Sequence, residues 1–218
     1  MFLSKFHITP CFSFLQHPRK ASVLFPRDFR KQKRKFSFSF PGPRKLEEIV
    51  KLPLLSKETP ERVSEIWKEF HNQRKDTLAT TLCFEDFQVL LERGADCPIF
   101  VYPIWRDAGH FMLISQFQDT HFLVTYLEEY QNNPGGAQPW LVLSTYSDFA
   151  ESKNLGLIRG DYTPNLNGGE AEKVFHGILS SYCTDEKFQQ VECFNKSPEK
   201  FNLDAYMKVC SSDEEHQS

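Results

Sequence analysis

The sequence predicts an α+β fold, with a mainly antiparallel sheet packed against several helices in a single domain. Short apolar strands follow one another between residues 98 and 126, and their connections are too short for crossovers, which favours antiparallel pairing. Apolar residues recur at helical spacing on both sides of this strand region. Hydrophobic residues make up 40% of the 218-residue chain and charged residues 25%, which is typical of a domain with a folded core.

The charge distribution divides the chain into a basic leader, a body and a short tail. Residues 1–45 contain eleven Lys or Arg and one acid, Asp28, for a net charge of +10. The whole chain carries −3, so residues 46–218 carry −13. A leader rich in Phe, Ser, Lys and Arg is typical of a mitochondrial transit segment. We predict a disordered transit segment at 1–45, an α+β domain at 46–210 and a polar tail at 211–218.

The leader leaves other interpretations open. Its run of residues 30–35 reads Arg-Lys-Gln-Lys-Arg-Lys, which also fits a nuclear signal, a nucleic-acid patch or a merely disordered basic tail. A nucleic-acid-binding fold carries its positive charge on the folded part, whereas the body here is acidic. The chain lacks the roughly 20 consecutive apolar residues of a membrane-spanning helix. We expect neither nucleic-acid binding nor a membrane span.

The first predicted helices precede the strands. Residues 46–55 have the apolar spacing of a short helix. Thr59 is a suitable N-cap for a second helix, whose apolar face continues to about Lys75. A third helix spans 84–93, and Gly94 would end it because glycine tolerates the left-handed backbone conformation.

The strand region begins after Pro98, and its first three strands form an antiparallel meander. Short helical segments follow at 127–131 and 147–153. A helix with a continuous apolar stripe starts near Gly169, and Pro198 opens the last helix. The predicted strands are 99–104, 111–117, 121–126, 140–144, 155–159 and a closing strand at 189–195.

Known catalytic motifs are absent from the sequence. The glycine-containing loop at 160–170 lacks the G-x-x-x-x-G-K-[ST] spacing of a phosphate-binding loop. Neither G-x-S-x-G nor H-E-x-x-H occurs, and the six cysteines and seven histidines lack the spacing of zinc ligands. We interpret the cysteines as reduced and structural. The sequence therefore predicts no catalytic residue, no cofactor and no metal.

One catalytic alternative stays open in the strand region. Cys97 precedes the first strand of the meander, and His110 and His121 flank the second. A cysteine nucleophile needs an aligned base and an oxyanion site. An enzyme of unknown substrate that uses Cys97 with His110 or His121 is therefore the alternative to a binding protein.

Aromatic residues are unusually frequent, with 21 Phe in the chain, and many lie in the predicted sheet. Both alternating sets of residues within 100–105 are apolar or aromatic, so either helices cover both faces or one face is left for a partner. Trp and Tyr dominate the energetics of interfaces when they are exposed. The candidate partner-binding residues are aromatics at helix and sheet edges: Trp67, Phe70, Tyr102, Trp105, Phe117 and Trp140.

A family resemblance rests on sequence features in a fixed order. The two best are 97–103, which reads Cys-Pro-Ile-Phe-Val-Tyr-Pro, and 139–148, which reads Pro-Trp-Leu-Val-Leu-Ser-Thr-Tyr-Ser-Asp. The others are Ile66-Trp67 with His71, Arg106 with Gly109, Gln116-Phe117, 122–130, 153–159, Glu170-Ala171, Ser181-Tyr182 and 191–195. Over about residues 46–210 the chain resembles the mitochondrial ATP synthase F1 complex assembly factors, which chaperone the catalytic β subunit.

The resemblance implies a binding protein and not an enzyme. Members of this family are matrix proteins that bind the unassembled β subunit near its nucleotide-binding domain and release it to the α subunit. The same partner, a mitochondrial matrix location and no ATP hydrolysis are therefore expected here, with a monomer when free. Such a hand-over needs an apolar surface comparable to a subunit interface and an affinity that mass action can reverse.

Overall fold

A six-stranded antiparallel sheet lies at the centre of the computed structural model, which describes residues 42–106, 109–133 and 135–215. Its strand order is β1-β6-β5-β4-β3-β2, so β1 and β2 form the two edges. The strands are β1 (Thr77–Leu82), β2 (Ile99–Arg106), β3 (Gly109–Gln118), β4 (His121–Tyr126), β5 (Leu141–Tyr146) and β6 (Gly156–Tyr162). With the helices that pack on it, this sheet confirms the predicted α+β class.

Nine helices accompany the sheet in the described ranges. They are α1 (Leu46–Ile49), α2 (Leu52–Leu55), α3 (Pro60–Asn72), α4 (Phe84–Asp96), α5 (Leu127–Asn132), α6 (Ala150–Lys153), α7 (Gly168–Cys183), α8 (Asp185–Lys196) and α9 (Leu203–Glu215). None of these helices is long and apolar enough to cross a bilayer.

Helices α4, α7 and α8 cover one face of the sheet. The strand register places Phe100 and Phe122 on that face. The Phe194 ring of α8 meets Phe100 edge-on with centroids 5.6 Å apart, and the Tyr182 ring of α7 lies 5.0 Å from Phe122. These rings belong to the buried core on this face, and the apolar stripe after Gly169 is continuous because α7 packs against that core.

Glycines in β6 allow helices to approach this face closely. A Cβ atom built on Gly156 would lie 2.1 Å from the Phe87 ring of α4, and one on Gly160 would lie 2.9 Å from the Phe175 ring of α7. Both distances are shorter than van der Waals contact between carbon atoms. The absence of a side chain at these two positions therefore sets the spacing between sheet and helices.

Helix α3 covers part of the opposite face. Its N-cap is Thr59, as predicted, whose hydroxyl accepts a hydrogen bond from the Arg62 amide at 3.3 Å. Trp67 is fully buried and donates from Nε1 to the Ile158 carbonyl of β6 at 3.0 Å. The second core cluster surrounds this ring and contains Leu46, Leu55, Val63, Trp67, Tyr146, Phe149, Leu155 and Leu157.

The structure corrects the local predictions at four places. The predicted closing strand at 189–195 lies inside α8, which buries Val191 and Phe194 at helical spacing. The edge strand β1 was missed. Gly94 does not end α4, which continues to Asp96; the glycine instead leaves room for the Phe117 ring. Pro198 does not open the last helix, which begins at Leu203.

The predicted ends of the chain are only partly described. Most of the predicted leader, residues 1–41, lies outside the described ranges, and residues 42–45 have no regular secondary structure. Helix α9 extends through the first residues of the predicted polar tail as far as Glu215. Residues 216–218 lie outside the described part of the chain.

Candidate partner-binding surface

Three half-buried aromatic side chains meet where β3, β4 and β5 come together, and we call Phe111, Tyr126 and Trp140 the surface aromatic cluster. The Trp140 ring stacks on Tyr126 with centroids 5.6 Å apart and an interplanar angle of 19°. The Phe111 centroid lies 6.0 Å from each of the other two. Aromatic rings in such offset and tilted pairs stabilise one another beyond their simple burial.

The sheet register brings these rings to one face. Leu113 pairs with Tyr126, and Phe111 lies two residues before Leu113, so both aromatic side chains point the same way. Trp140 is held by its backbone, since its amide donates to the Val124 carbonyl at 2.7 Å. The Trp140 carbonyl accepts from the Thr163 amide, just after the end of β6, at 2.8 Å. The cluster therefore has a rigid backbone beneath it.

An ion pair supports the cluster from the side. Arg106 donates from Nε to Glu170 Oε1 at 2.6 Å and from Nη2 to Oε2 at 2.8 Å, while its guanidinium carbon lies 4.8 Å from the Phe111 ring centroid. The Glu170 side chain is 8% exposed and that of Arg106 is 51% exposed. The hydrogen bond from Arg106 lowers the pKa of Glu170 below its ordinary value. This bidentate pair ties the end of β2 to the start of α7.

The first turn of α7 fixes Glu170 in place. Asn167 is the N-cap, and its side-chain oxygen accepts from the Glu170 amide at 2.9 Å. The Glu170 carboxylate in turn accepts from the Asn167 amide at 2.9 Å, which completes a capping box. The same carboxylate thus serves both the helix start and Arg106.

Acidic residues border the surface aromatic cluster on its α5 side. Glu128 and Glu129 are exposed and lie in the first turn of α5, separated from Tyr126 by Leu127. Burial, with Glu128 as the next cause, raises the pKa of the Tyr126 hydroxyl, so it stays neutral at physiological pH. Aromatic faces beside carboxylates attract apolar and cationic side chains. The arrangement is therefore suited to contact with another polypeptide.

The candidate partner-binding residues lie in different places. Trp140 belongs to the surface aromatic cluster. Trp105 is half-buried on the opposite face of β2, where it pairs with His110. Phe70 is half-buried at the end of α3, with the Arg74 guanidinium carbon 4.0 Å from its ring centroid. The structure does not bring these three aromatics into one site.

The other three candidates are core residues. Trp67 is 0% exposed, Tyr102 5% and Phe117 8%, so a partner could not reach them without opening the domain. Phe111 and Tyr126 were missed as candidates for a partner site. Alternation of side chains along β3 and β4 places both residues on one face of the sheet, and this pattern could have identified them from the sequence.

The structure gives no support to the cysteine–histidine alternative. Cys97 is fully buried, and burial raises the pKa of its thiol to about 11, whereas a reactive cysteine needs a lowered pKa. Its sulfur lies 3.7 Å from the Asp96 carboxylate. His110 is exposed at the far end of the β2–β3 hairpin from Cys97. His121 is buried, which lowers its pKa.

The fold and this surface define an α+β domain with a cluster of half-buried aromatic side chains on its sheet. A family model described as ATP11 protein matches residues 15–207, and the chain belongs to this family, as the ordered sequence features predicted.

Curated relatives in three organisms agree with this family. Human ATP synthase mitochondrial F1 complex assembly factor 1 is 28% identical over 75% of this chain and 50% of its own length. The mouse protein of the same name is 27% identical over 81% of this chain and 54% of its own. Protein atp11, mitochondrial, of Schizosaccharomyces pombe is 26% identical over 65% of this chain and 49% of its own. The chain therefore spans about half the length of these relatives.

Proposed function

We propose that this protein is an assembly chaperone for the catalytic head of mitochondrial ATP synthase. It binds the unassembled β subunit, prevents its aggregation and hands it to the α subunit without hydrolysing ATP. Membership of the ATP11 family carries the proposal, because the human and mouse relatives are named as F1 complex assembly factors. The basic leader and the mitochondrial names of these relatives support action in the mitochondrial matrix.

The surface aromatic cluster is the proposed contact site for the β subunit. Stacked, half-buried Tyr and Trp rings lose little conformational freedom on binding and are frequent centres of protein interfaces. The cluster stands on a rigid backbone and beside the Arg106–Glu170 pair, so a partner meets a formed surface. Trp105 and Phe70 are proposed as secondary contacts outside the cluster.

The proposed role needs reversible binding. A chaperone must release its client when the α subunit arrives, and mass action achieves this when the chaperone contact is smaller than the final subunit interface. Three half-buried rings with an acidic border fit such a limited contact. No catalytic step enters this mechanism.

The aggregation of isolated β subunit, diluted from denaturant and followed by light scattering, tests this function. An equimolar amount of the wild-type chain should suppress the scattering, and the Tyr126→Ala/Trp140→Ala variant should suppress it much less. Phe188→Ala is the matched control, because Phe188 is a half-buried aromatic on α8 with a guanidinium over its ring, as Phe111 has. Equal suppression by all three proteins would remove the cluster from the contact site, and no suppression by the wild type would contradict the chaperone role.

A further inference from the structure

The two edges of the sheet are protected to different degrees. At the β2 edge, the Ile99 amide donates to Asn195 Oδ1 at 3.2 Å and Asn195 Nδ2 donates to the Ile99 carbonyl at 2.6 Å. The Tyr206 hydroxyl donates to the Val101 carbonyl at 2.9 Å. Pro103, the next residue with its backbone directed outward, has no N–H. Side chains and a proline therefore block this edge against a further strand.

The β1 edge has no such protection. The Tyr162 amide donates to the carbonyl of Asp76, the residue before β1, at 3.1 Å. Because backbone hydrogen bonds alternate along an antiparallel pair, the even-numbered residues of β1 are the ones bonded to β6. Thr77, Ala79 and Thr81 then direct three N–H and three C=O groups away from the sheet. No hydrogen bond from any described residue reaches these six groups. The strand reads Thr-Leu-Ala-Thr-Thr-Leu, with neither charge nor proline, and every residue is half-buried.

We propose that the free edge of β1 binds an extended segment of the client polypeptide as a seventh strand of the sheet. This proposal rests on the chaperone function above and names a second contact, on the opposite side of the sheet from the β2 edge. Outward backbone donors and acceptors at alternate residues match the spacing of another extended backbone, which can replace their bonds to water. Natural proteins normally block such an edge, as β2 does here, and an unblocked one recruits strands.

The neighbourhood of β1 favours a foreign segment over a second copy of this chain. Helix α3 lies along one face of β1, since Ser64 Oγ lies 2.8 Å from Thr81 Oγ1 at one end and the Thr77 hydroxyl donates to the His71 carbonyl at 3.2 Å at the other. Lys68, which is exposed, lies between these two contacts on the same flank of α3. A twofold axis through Ala79 would bring the flank of α3 that carries Lys68 next to its own copy, and like charges repel.

The same lysine indicates the chemistry of the client segment. An uncharged, extended segment with an acidic residue near its middle would pair with β1 and place that carboxylate beside Lys68. The occupant is therefore a strand-forming segment of the unassembled β subunit with this charge pattern.

Two substitutions at one position test the proposal. Thr81→Pro removes an outward N–H and leaves the ladder to β6 intact, because proline is tolerated where the N–H of an edge strand faces outward. Thr81→Val keeps that N–H and is the matched control, since both variants lose the contact with Ser64. Capture of isolated β subunit by the full chain should weaken about tenfold or more for Thr81→Pro relative to Thr81→Val. Urea unfolding of both variants checks that they fold equally well.

Hydrogen exchange on the wild-type chain tests the same edge without any substitution. Adding isolated β subunit should slow exchange of the Thr77, Ala79 and Thr81 amides. Equal capture by the two variants, with unchanged exchange, would overturn the edge proposal and leave the chaperone function standing. Failure of the wild type to capture β subunit would overturn both. Sedimentation of the wild type as a dimer that Thr81→Pro converts to a monomer would assign the edge to a second copy and so contradict the proposal.

Discussion

Replacing Gly156 by alanine should destabilise the domain through a single steric contact. The new Cβ would lie 2.1 Å from Cδ2, 2.3 Å from Cγ and 2.8 Å from Cβ of Phe87, whose side chain is 1% exposed. Rotation of the ring about its axis cannot relieve contacts with Cγ and Cβ, so either α4 or β6 must move. Overpacking of a well-filled core costs about 1–3 kcal/mol, and we expect the upper part of that range.

A double-mutant cycle tests this cause directly. Phe87→Ala alone should cost about 3–5 kcal/mol because it leaves a cavity. Gly156→Ala/Phe87→Ala should cost less than the sum of the single losses by at least about 1 kcal/mol, because the new methyl group then occupies part of that cavity. Urea unfolding, followed by fluorescence, measures each free energy of unfolding.

Gly169→Ala is the matched control for that cycle. The new Cβ would lie 3.5 Å from Asn167 Oδ1, which is an ordinary contact distance. Alanine also favours the helical conformation that residue 169 adopts in α7. We expect no loss of stability for this variant. Wild-type stability of Gly156→Ala, or additive losses in the cycle, would refute the claim that Gly156 sets the distance between α4 and the sheet.

Three further predictions concern titration, the ion pair and the buried thiol. Burial lowers the pKa values of His71 and His121, so the unfolded chain takes up protons near pH 6.5 before the folded chain does. The free energy of unfolding should therefore be level above pH 7 and fall from about pH 6.5 towards 5.5, by at most about 1.4 kcal/mol per pH unit for each histidine. A level urea midpoint over this range would contradict the prediction. Glu170→Gln should lower the free energy of unfolding by about 1 kcal/mol at low salt and by less at 1 M salt, because Arg106 is half exposed and screened; a loss independent of salt would argue against an ionic contribution. Cys97→Ala should capture β subunit as well as the wild type does, and loss of capture in a variant with a normal urea midpoint would reopen a role for this thiol.

Much of the fold could be predicted because its strands and helices obey simple periodicities. The short turn at Asp119 and Thr120 allows only antiparallel pairing, and the meander of β2, β3 and β4 is present as expected. Thr59 with Pro60 is a strong helix start, and α3 begins there. Local chemistry alone determines these features, so the sequence contains enough information for them.

The failures depended on contacts distant in sequence. Val191 and Cys193 fit the alternation of a strand, whereas Val191 and Phe194 fit the helical period, and packing of Phe194 against Phe100 on β2 goes with the helix. Half of the residues of β1 are threonine, the strand has no alternating apolar pattern, and its pairing with β6 bridges more than seventy residues. Contacts between distant parts of the chain therefore determine the secondary structure of α8 and β1.

The candidate site was harder to predict than the fold. Trp67 lies on an apolar helix face and Trp140 lies just before a strand, and both have apolar neighbours in the sequence. Trp67 is nevertheless fully buried, whereas Trp140 is half-buried. Which aromatics remain at the surface depends on where each helix covers the sheet. Nothing in the local sequence of either residue contains that information.

Competitive capture of isolated ATP synthase subunits by the full chain tests the central claim most directly. The immobilised chain is incubated with purified β subunit, with purified α subunit, and with β subunit followed by excess α subunit. The account predicts retention of β alone and its release when α is added. Retention of α, retention of neither subunit, or a β complex that excess α cannot dissociate would contradict it.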